Sequence, residues 1–187
     1  MIFSTISKLV NGAKGSISAS LKGVSDIGSE TVDAVKNMIN TTLKETGEFV
    51  SEGVSGAASI VSGAIMGVSG IGSSVVKAVK GIVRGTVEGF IEEGGKQEDA
   101  VRGAVGQSLY DAKELGVDVG QTAVEAVKGA VEAVTTVGGD TVKATKNSLM
   151  TALEVGKDIG EDTYNSVKNA LESGVDGARE IIDEIKD

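Results

Sequence analysis

A glycine recurs every twenty-two residues, at Gly72, Gly94, Gly116, Gly138 and Gly160, and eleven residues after each stands a bulky aliphatic side chain, at Val83, Val105, Val127, Leu149 and Leu171. A spacing this regular constrains the fold more than any bulk property. The unit is 22 residues, or two elevens, and eleven residues make three helical turns at about 3.67 residues per turn. A strand alternates with a period of two, so the pattern reads as helix.

With Ile27 as position a, the elevenfold ladder Ile27, Met38, Phe49, Ile60, Ile71, Ile82 is wholly apolar. Position f is apolar from Val10 to Val175 except at Glu98 and Gly120. Positions a, b, e, f and i fall in one stripe about 130° wide. Because 3.67 exceeds the 3.6 of a straight helix, a seam that follows this repeat drifts right-handed. The expectation is an all-α chain of long amphipathic helices, arranged as a right-handed coiled coil or an elongated helical bundle.

The register divides the chain into a basic amphipathic helix at 1–25, a first repeat array at 26–92, a weak segment "EEGGKQED" with a break or turn at 93–99, and a second array at 100–187. Phase retained through Gly94 and Gly95 favours one continuous helix there; a duplicated unit that folds back is the other reading.

Glycine inside a helix costs about 1 kcal/mol relative to alanine, so a periodic array of them calls for a compensating contact. The glycines at 72, 94, 116, 138 and 160 are therefore expected to be notches that admit the Val or Leu of a neighbouring helix. Charge is also columnar. Lys14, Lys36, Lys80, Arg102, Lys113, Lys146, Lys157, Lys168 and Arg179 share position j, while Asp and Glu gather at k and d. Such a cross-section suits lateral pairing of like helices, basic edge to acidic edge.

Catalysis finds few tools here. The chain has no His, Cys, Pro or Trp, so it has no imidazole base, thiolate nucleophile or ordinary zinc site. The pairs Glu161/Asp162 and Asp183/Glu184 point about 100° apart on a helix and read as a solvated face. A noncatalytic protein without cofactor, metal or small-molecule substrate is expected. The net charge of -9, from 27 acidic and 18 basic residues, opposes nucleic acid as a partner and nonspecific binding to anionic membranes. The apolar residues near the start are spaced, with no uninterrupted core of a secretory signal, which favours an intracellular or membrane-associated setting.

Two segments look toward lipid. Residues 1–25 carry no acid, and Phe3, Ile6, Val10, Ile17 and Leu21 with Lys8 and Lys14 form a basic amphipathic face, candidates for membrane contact. The first repeat of the array would present the same face. Residues 53–76 carry no charge over a length that spans a bilayer. Half of them are Gly or Ser, and Ser55, Ser59, Gly63 and Gly67 form a small-xxx-small line. Buried packing, interfacial contact and spanning are all open to this window.

The continuous elevenfold pattern resembles that of synucleins, perilipins, group 3 late-embryogenesis proteins and the right-handed coiled coils of some surface stalks. This resemblance of period covers almost the whole chain and implies a helical coat or scaffold on lipid or protein surfaces. The leading expectation is a self-assembling helical scaffold, filament or coat, homo-oligomeric or polymeric, packed through the stripe and the glycine column. The alternative is an amphipathic protein of a membrane, droplet or granule surface that folds on binding.

Overall fold

The computed structural model describes residues 10–15, 17–19, 27–46, 53–70 and 74–186. These form helices and turns without a strand among the described residues: α1 (10–15 and 17–19), α2 (Ile27–Thr46), α3 (Gly53–Gly70), α4 (Val75–Glu92), α5 (Gln97–Glu114), α6 (Val119–Thr136), α7 (Thr141–Ile159), α8 (Glu161–Gly174) and α9 (Ala178–Lys186). Helices α3 to α7 begin at residues 53, 75, 97, 119 and 141, twenty-two apart. The repeat unit is thus an 18-residue helix and a turn.

The turns are built alike. After α4, the Gly94 N–H donates to the Ile91 carbonyl and the Gly95 N–H to the Phe90 carbonyl; after α5, Gly116 bonds Lys113 and Val117 bonds Ala112; after α6, Gly138 bonds Thr135 and Gly139 bonds Val134. This paired pattern closes a helix through a left-handed residue, where a side chain costs about 1–2 kcal/mol and glycine costs none. Gly94, Gly116 and Gly138 have φ of 93°, 70° and 73°. Two residues after Gly116 and Gly138 the next helix is capped: Asp118 and Asp140 accept from the backbone N–H of Gln121 and Lys143, as Ser74 does from Lys77 at the start of α4, satisfying a free amide of the first turn. Lys96 stands at that position before α5 without a side-chain cap.

The continuous helix favoured by phase retention is therefore not formed: the chain turns at 93–96, 115–118 and 137–140. Phase survives because a 22-residue unit is a whole number of helical turns, so one reversal per unit leaves every later side chain in register.

Four-residue turns make consecutive helices antiparallel, and each helix packs most extensively on the one two places away in sequence. Two rows result, α2, α4, α6, α8 and α1, α3, α5, α7. The stripe lies between them. Ile60, Ile65, Ile82, Val83, Val105, Leu109, Val127, Leu149 and Leu171 are wholly buried there, with Phe90 the largest of the fully buried side chains. At α8 the period lapses. Its residues Asn165, Asn169 and Ser173 are exposed and polar, as the last unit of a repeat array requires, and α9 folds back onto α7 and α8.

Candidate functional site

The two alternating columns have different fates. Val83, Val105, Val127, Leu149 and Leu171 sit in the interior with no exposed surface. Gly94, Gly116, Gly138 and Gly160 are not notches: each lies between helices with φ above zero, and a Cβ added there would meet nothing within 4 Å. Glycine is selected at the first three by the left-handed turn rather than by a neighbour. Gly72 lies outside the described residues.

Close approach occurs elsewhere, in the seams between parallel neighbours. A Cβ on Gly85 would stand 2.8 Å from the Val32 carbonyl oxygen and 3.0 Å from Val35 Cβ; on Gly67, 2.8 Å from the Lys14 carbonyl and 3.2 Å from Ile17 Cβ; on Gly89, 2.9 Å from Ile39 Cδ1. Gly63, Gly103 and Gly129 face the carbonyl oxygens of Val10, Val54 and Lys80 with even less room. The contact is copied along the array: Gly63, Gly67, Gly85 and Gly89 meet Ala13, Ile17, Val35 and Ile39, each fifty positions earlier. Part of the line Ser55, Ser59, Gly63, Gly67 thus works as a close-approach surface, against α1.

Farther out on the same seams basic and acidic edges meet. Lys36 Nζ lies 3.2 Å from Glu88 and 3.0 Å from Glu92, Lys80 Nζ 2.6 Å from Glu132, and Arg102 3.9 Å from Glu154. Lys36/Glu88, Lys80/Glu132 and Arg102/Glu154 each span fifty-two residues, so the pairing repeats with the fold. The basic partners belong to the expected column j, but of these acids only Glu92 belongs to the k and d columns; Glu88, Glu132 and Glu154 stand at position g, so the repeating ion pairs use a different acidic edge from the one expected. Glu88, though buried, is held by both Lys36 and Arg84, the latter at 2.7 Å. The hydrogen bond that Arg84 donates to Glu88 raises the Arg84 pKa; for Lys36, burial pulls downward but its bonds to Glu92 and Glu88 and their charges prevail and raise it.

Asp111 on α5 is the opposite case. It is only 6% exposed. Its Oδ1 accepts from Gln107 Nε2 at 2.7 Å, and its Oδ2 is buried without a hydrogen-bond partner. Burial raises its pKa, a trend that Gln107 and the nearby Ser62 of α3 oppose and the charge of Glu114 reinforces. Gly67, Gly89 and Asp111 are twenty-two residues apart. A carboxyl group therefore stands where two sister repeats place a seam glycine.

Beside it, a groove of about 370 Å³ runs across α3, α5 and α7, floored by Gly103 and Gly106 and edged by Arg102, Gln107, Tyr110, Glu154 and Asp158. Its polar groups satisfy one another: Arg102 faces Glu154, and the Tyr110 hydroxyl donates to Asp158 at 2.7 Å. That bond, with burial and the Asp158 charge, raises the Tyr110 pKa. No cluster of three or more acidic residues suited to a metal occurs among the described residues.

No protein-family model matches the chain, and no curated protein matches its sequence.

Of the N-terminal candidates, Ile17 is wholly buried and Val10 half-buried, both against α3, so in this arrangement Ile17 offers lipid nothing; Lys14 is exposed. Phe3, Ile6, Lys8 and Leu21 lie outside the described residues. Sequence reasoning passed over Asp111 and the acids Glu88, Glu132 and Glu154. The signal for Asp111 was present, as the one charge after Glu45 in a column that reads Glu45, Gly67, Gly89, Asp111, Ala133, Val155, Gly177.

Proposed function

We propose that the chain is a noncatalytic amphipathic protein that keeps its apolar stripe folded against itself in the bundle and spreads it on a lipid surface. One observation carries this reading. Val54, Leu115 and Val142 are 41%, 44% and 78% exposed, and all three continue the stripe at positions f, a and f. In mid-helix the same f column is buried, at Ile65, Val87, Leu109 and Leu153. Leu115 stands in a turn, and Val54 and Val142 in the first turn of α3 and α7; all three are idle in the closed bundle and join an unbroken stripe when the turns become helix.

Conversion is cheap by design of the turns. They contain no proline, the chain having none, and each turn glycine accepts helical geometry at about 1 kcal/mol relative to alanine. Since the unit is a whole number of turns, the opened helix presents one unbroken stripe. Burying that stripe in a lipid interface offsets the separation of the two rows, because the same side chains leave water again. Assembly of copies into a filament or coat through the stripe is less favoured. The seams and the stripe are already occupied within the chain, and α8 closes one row with a polar face.

The test places spin labels at Glu98→Cys and Thr135→Cys, exposed sites at the same end of the α5–α6 hairpin. Without lipid the labels are neighbours on a monomer in sedimentation velocity. On phosphatidylcholine vesicles the 37 intervening helical steps separate them by roughly 55 Å, at about 1.5 Å per residue. Labels that stay close on a chain that fails to float with vesicles overturn the reading, and a concentration-dependent helical polymer without lipid restores the scaffold.

A further inference from the structure

We propose that the bundle opens at the α3–α5 contact, with α3 the segment that enters lipid first and Asp111 the group that controls its release. This rests on the lipid-surface reading above and adds which part moves and what governs it.

Three observations converge on this contact. The first is the nature of α3. Among the described residues it is the one helix long and apolar enough to cross a membrane, and it carries no charged residue over its 18 positions. Met66 and Val54, 40% and 41% exposed, already place apolar atoms on its outer face. Lipid therefore imposes no charge-burial cost on α3, whereas every other full-length helix carries ionised groups.

The second is the seam itself. Where α3 seats Gly67 on α1 and α4 seats Gly89 on α2, α5 offers Asp111 to α3. Ser62 is what α3 brings near the carboxyl, Gln107 and Glu114 share its own helix, and no described charge of α4, α6 or α7 acts on it. Contrast Glu88, equally buried but held by two cations from α2 and α4. An ionised Asp111 leaves a buried charge without a counter-ion, the situation that costs most in a protein interior. As a neutral acid it is far easier to bury.

The third is access. Gln107, hydrogen-bonded to the carboxyl, lines the open groove across α3, α5 and α7, so the proton that decides the state of Asp111 exchanges with solvent. Burial raises the pKa above its unfolded value, so the folded state binds this proton more readily. The contact is then tightest at low pH and loosens as pH rises through the folded pKa. Because α1 rides on Gly63 and Gly67 of α3, release of α3 delivers α1, with its exposed Lys14, to the same surface.

The experiment uses the full chain, whose lack of cysteine permits single labels. An environment-sensitive fluorophore is attached at Met66→Cys on α3 or at Val142→Cys on α7, and uncharged phosphatidylcholine vesicles are titrated at pH 5 and pH 8. The Met66 label is expected to enter lipid at lower vesicle concentration than the Val142 label at pH 8. Its partition weakens about tenfold at pH 5 for each unit by which the folded pKa exceeds the unfolded one within that window. Asp111→Asn, which keeps the size and the Gln107 contact but cannot ionise, should hold pH 8 partition at the pH 5 level. Circular dichroism confirms that this variant is folded. Entry of the Met66 label that ignores both pH and Asp111→Asn overturns the latch while sparing the lipid reading. Earlier entry of the Val142 label overturns the order of opening. If neither label enters lipid at either pH, the lipid reading itself falls, and this inference with it.

Discussion

The seam glycines make a quantitative claim that can be separated from helix propensity. Gly85→Ala on α4 places a Cβ 2.8 Å from the Val32 carbonyl oxygen, 3.0 Å from Val35 Cβ and 3.2 Å from Val32 Cα. Two of these three atoms are backbone, so relief requires the whole of α2 to shift. Overpacking of this kind costs about 1–3 kcal/mol, and the gain in helix propensity returns about 1 kcal/mol. The net expectation is a destabilisation of about 0–2 kcal/mol. Gly106→Ala on α5 is the matched control. It is also buried and in mid-helix, but its Cβ would lie 3.4 Å from Thr151 Cγ2 and 3.6 Å from Val155 Cγ2, in ordinary contact. That variant keeps the propensity gain and should be stabilised by about 1 kcal/mol. Subtracting one variant from the other cancels propensity and leaves the clash, a difference of about 1–3 kcal/mol. Urea unfolding followed by circular dichroism reads it directly, and a difference of about 1 kcal/mol corresponds to about 2–4 °C in Tm for a chain of this size. Equal stabilisation by the two substitutions would show that α2 and α4 do not meet at Gly85, and the seam would have to be abandoned.

The turn glycines behave differently, because their constraint is conformational. Gly116→Ala and Gly138→Ala should each cost about 1–2 kcal/mol through the left-handed φ, and Gly138→Leu should cost little more than Gly138→Ala since open space surrounds the site; a steep dependence on side-chain size in thermal melts would argue for a packed notch instead. Removing the caps by Asp118→Ala or Asp140→Ala should destabilise by about 1 kcal/mol each in urea unfolding. A double-mutant cycle on Lys80 and Glu132, both substantially exposed, should return a coupling below about 1 kcal/mol that fades with salt. Asp158→Asn should lower the pKa of Tyr110 by removing a charged acceptor and a neighbouring anion, measured by ultraviolet difference titration; an unchanged or raised value would contradict the 2.7 Å bond.

Much of the fold was legible, though its punctuation was misread. The helical character, the apolar stripe and the basic edge are all local consequences of residue spacing. The turns were legible too, in a signal that went unread: Gly116-Val117-Asp118 and Gly138-Gly139-Asp140 each place a helix-ending glycine two residues before a helix-capping Asp. Retained phase concealed them. A break ordinarily resets register, but a unit of six helical turns does not. Asp111 was hidden for another reason: it falls in a column of small residues, Gly89, Ala100, Asp111, Thr122, Ala133, outside both the apolar stripe and the charge columns that were followed.

By itself the sequence determined that this chain is helical, that its apolar surface is one stripe with a twenty-two-residue period, and that glycine is needed at regular intervals. These follow from side-chain spacing on a helix and from the energetic cost of each glycine. Tertiary structure alone decided which glycines serve as turns and which as seams, and that the partner of each repeat is the repeat two places away. The physical reason is that glycine, lacking a Cβ, adopts the left-handed conformation about as readily as the helical one. Local preference therefore leaves Gly116 and Gly85 nearly equivalent, and the much larger burial of stripe against stripe determines where the chain reverses.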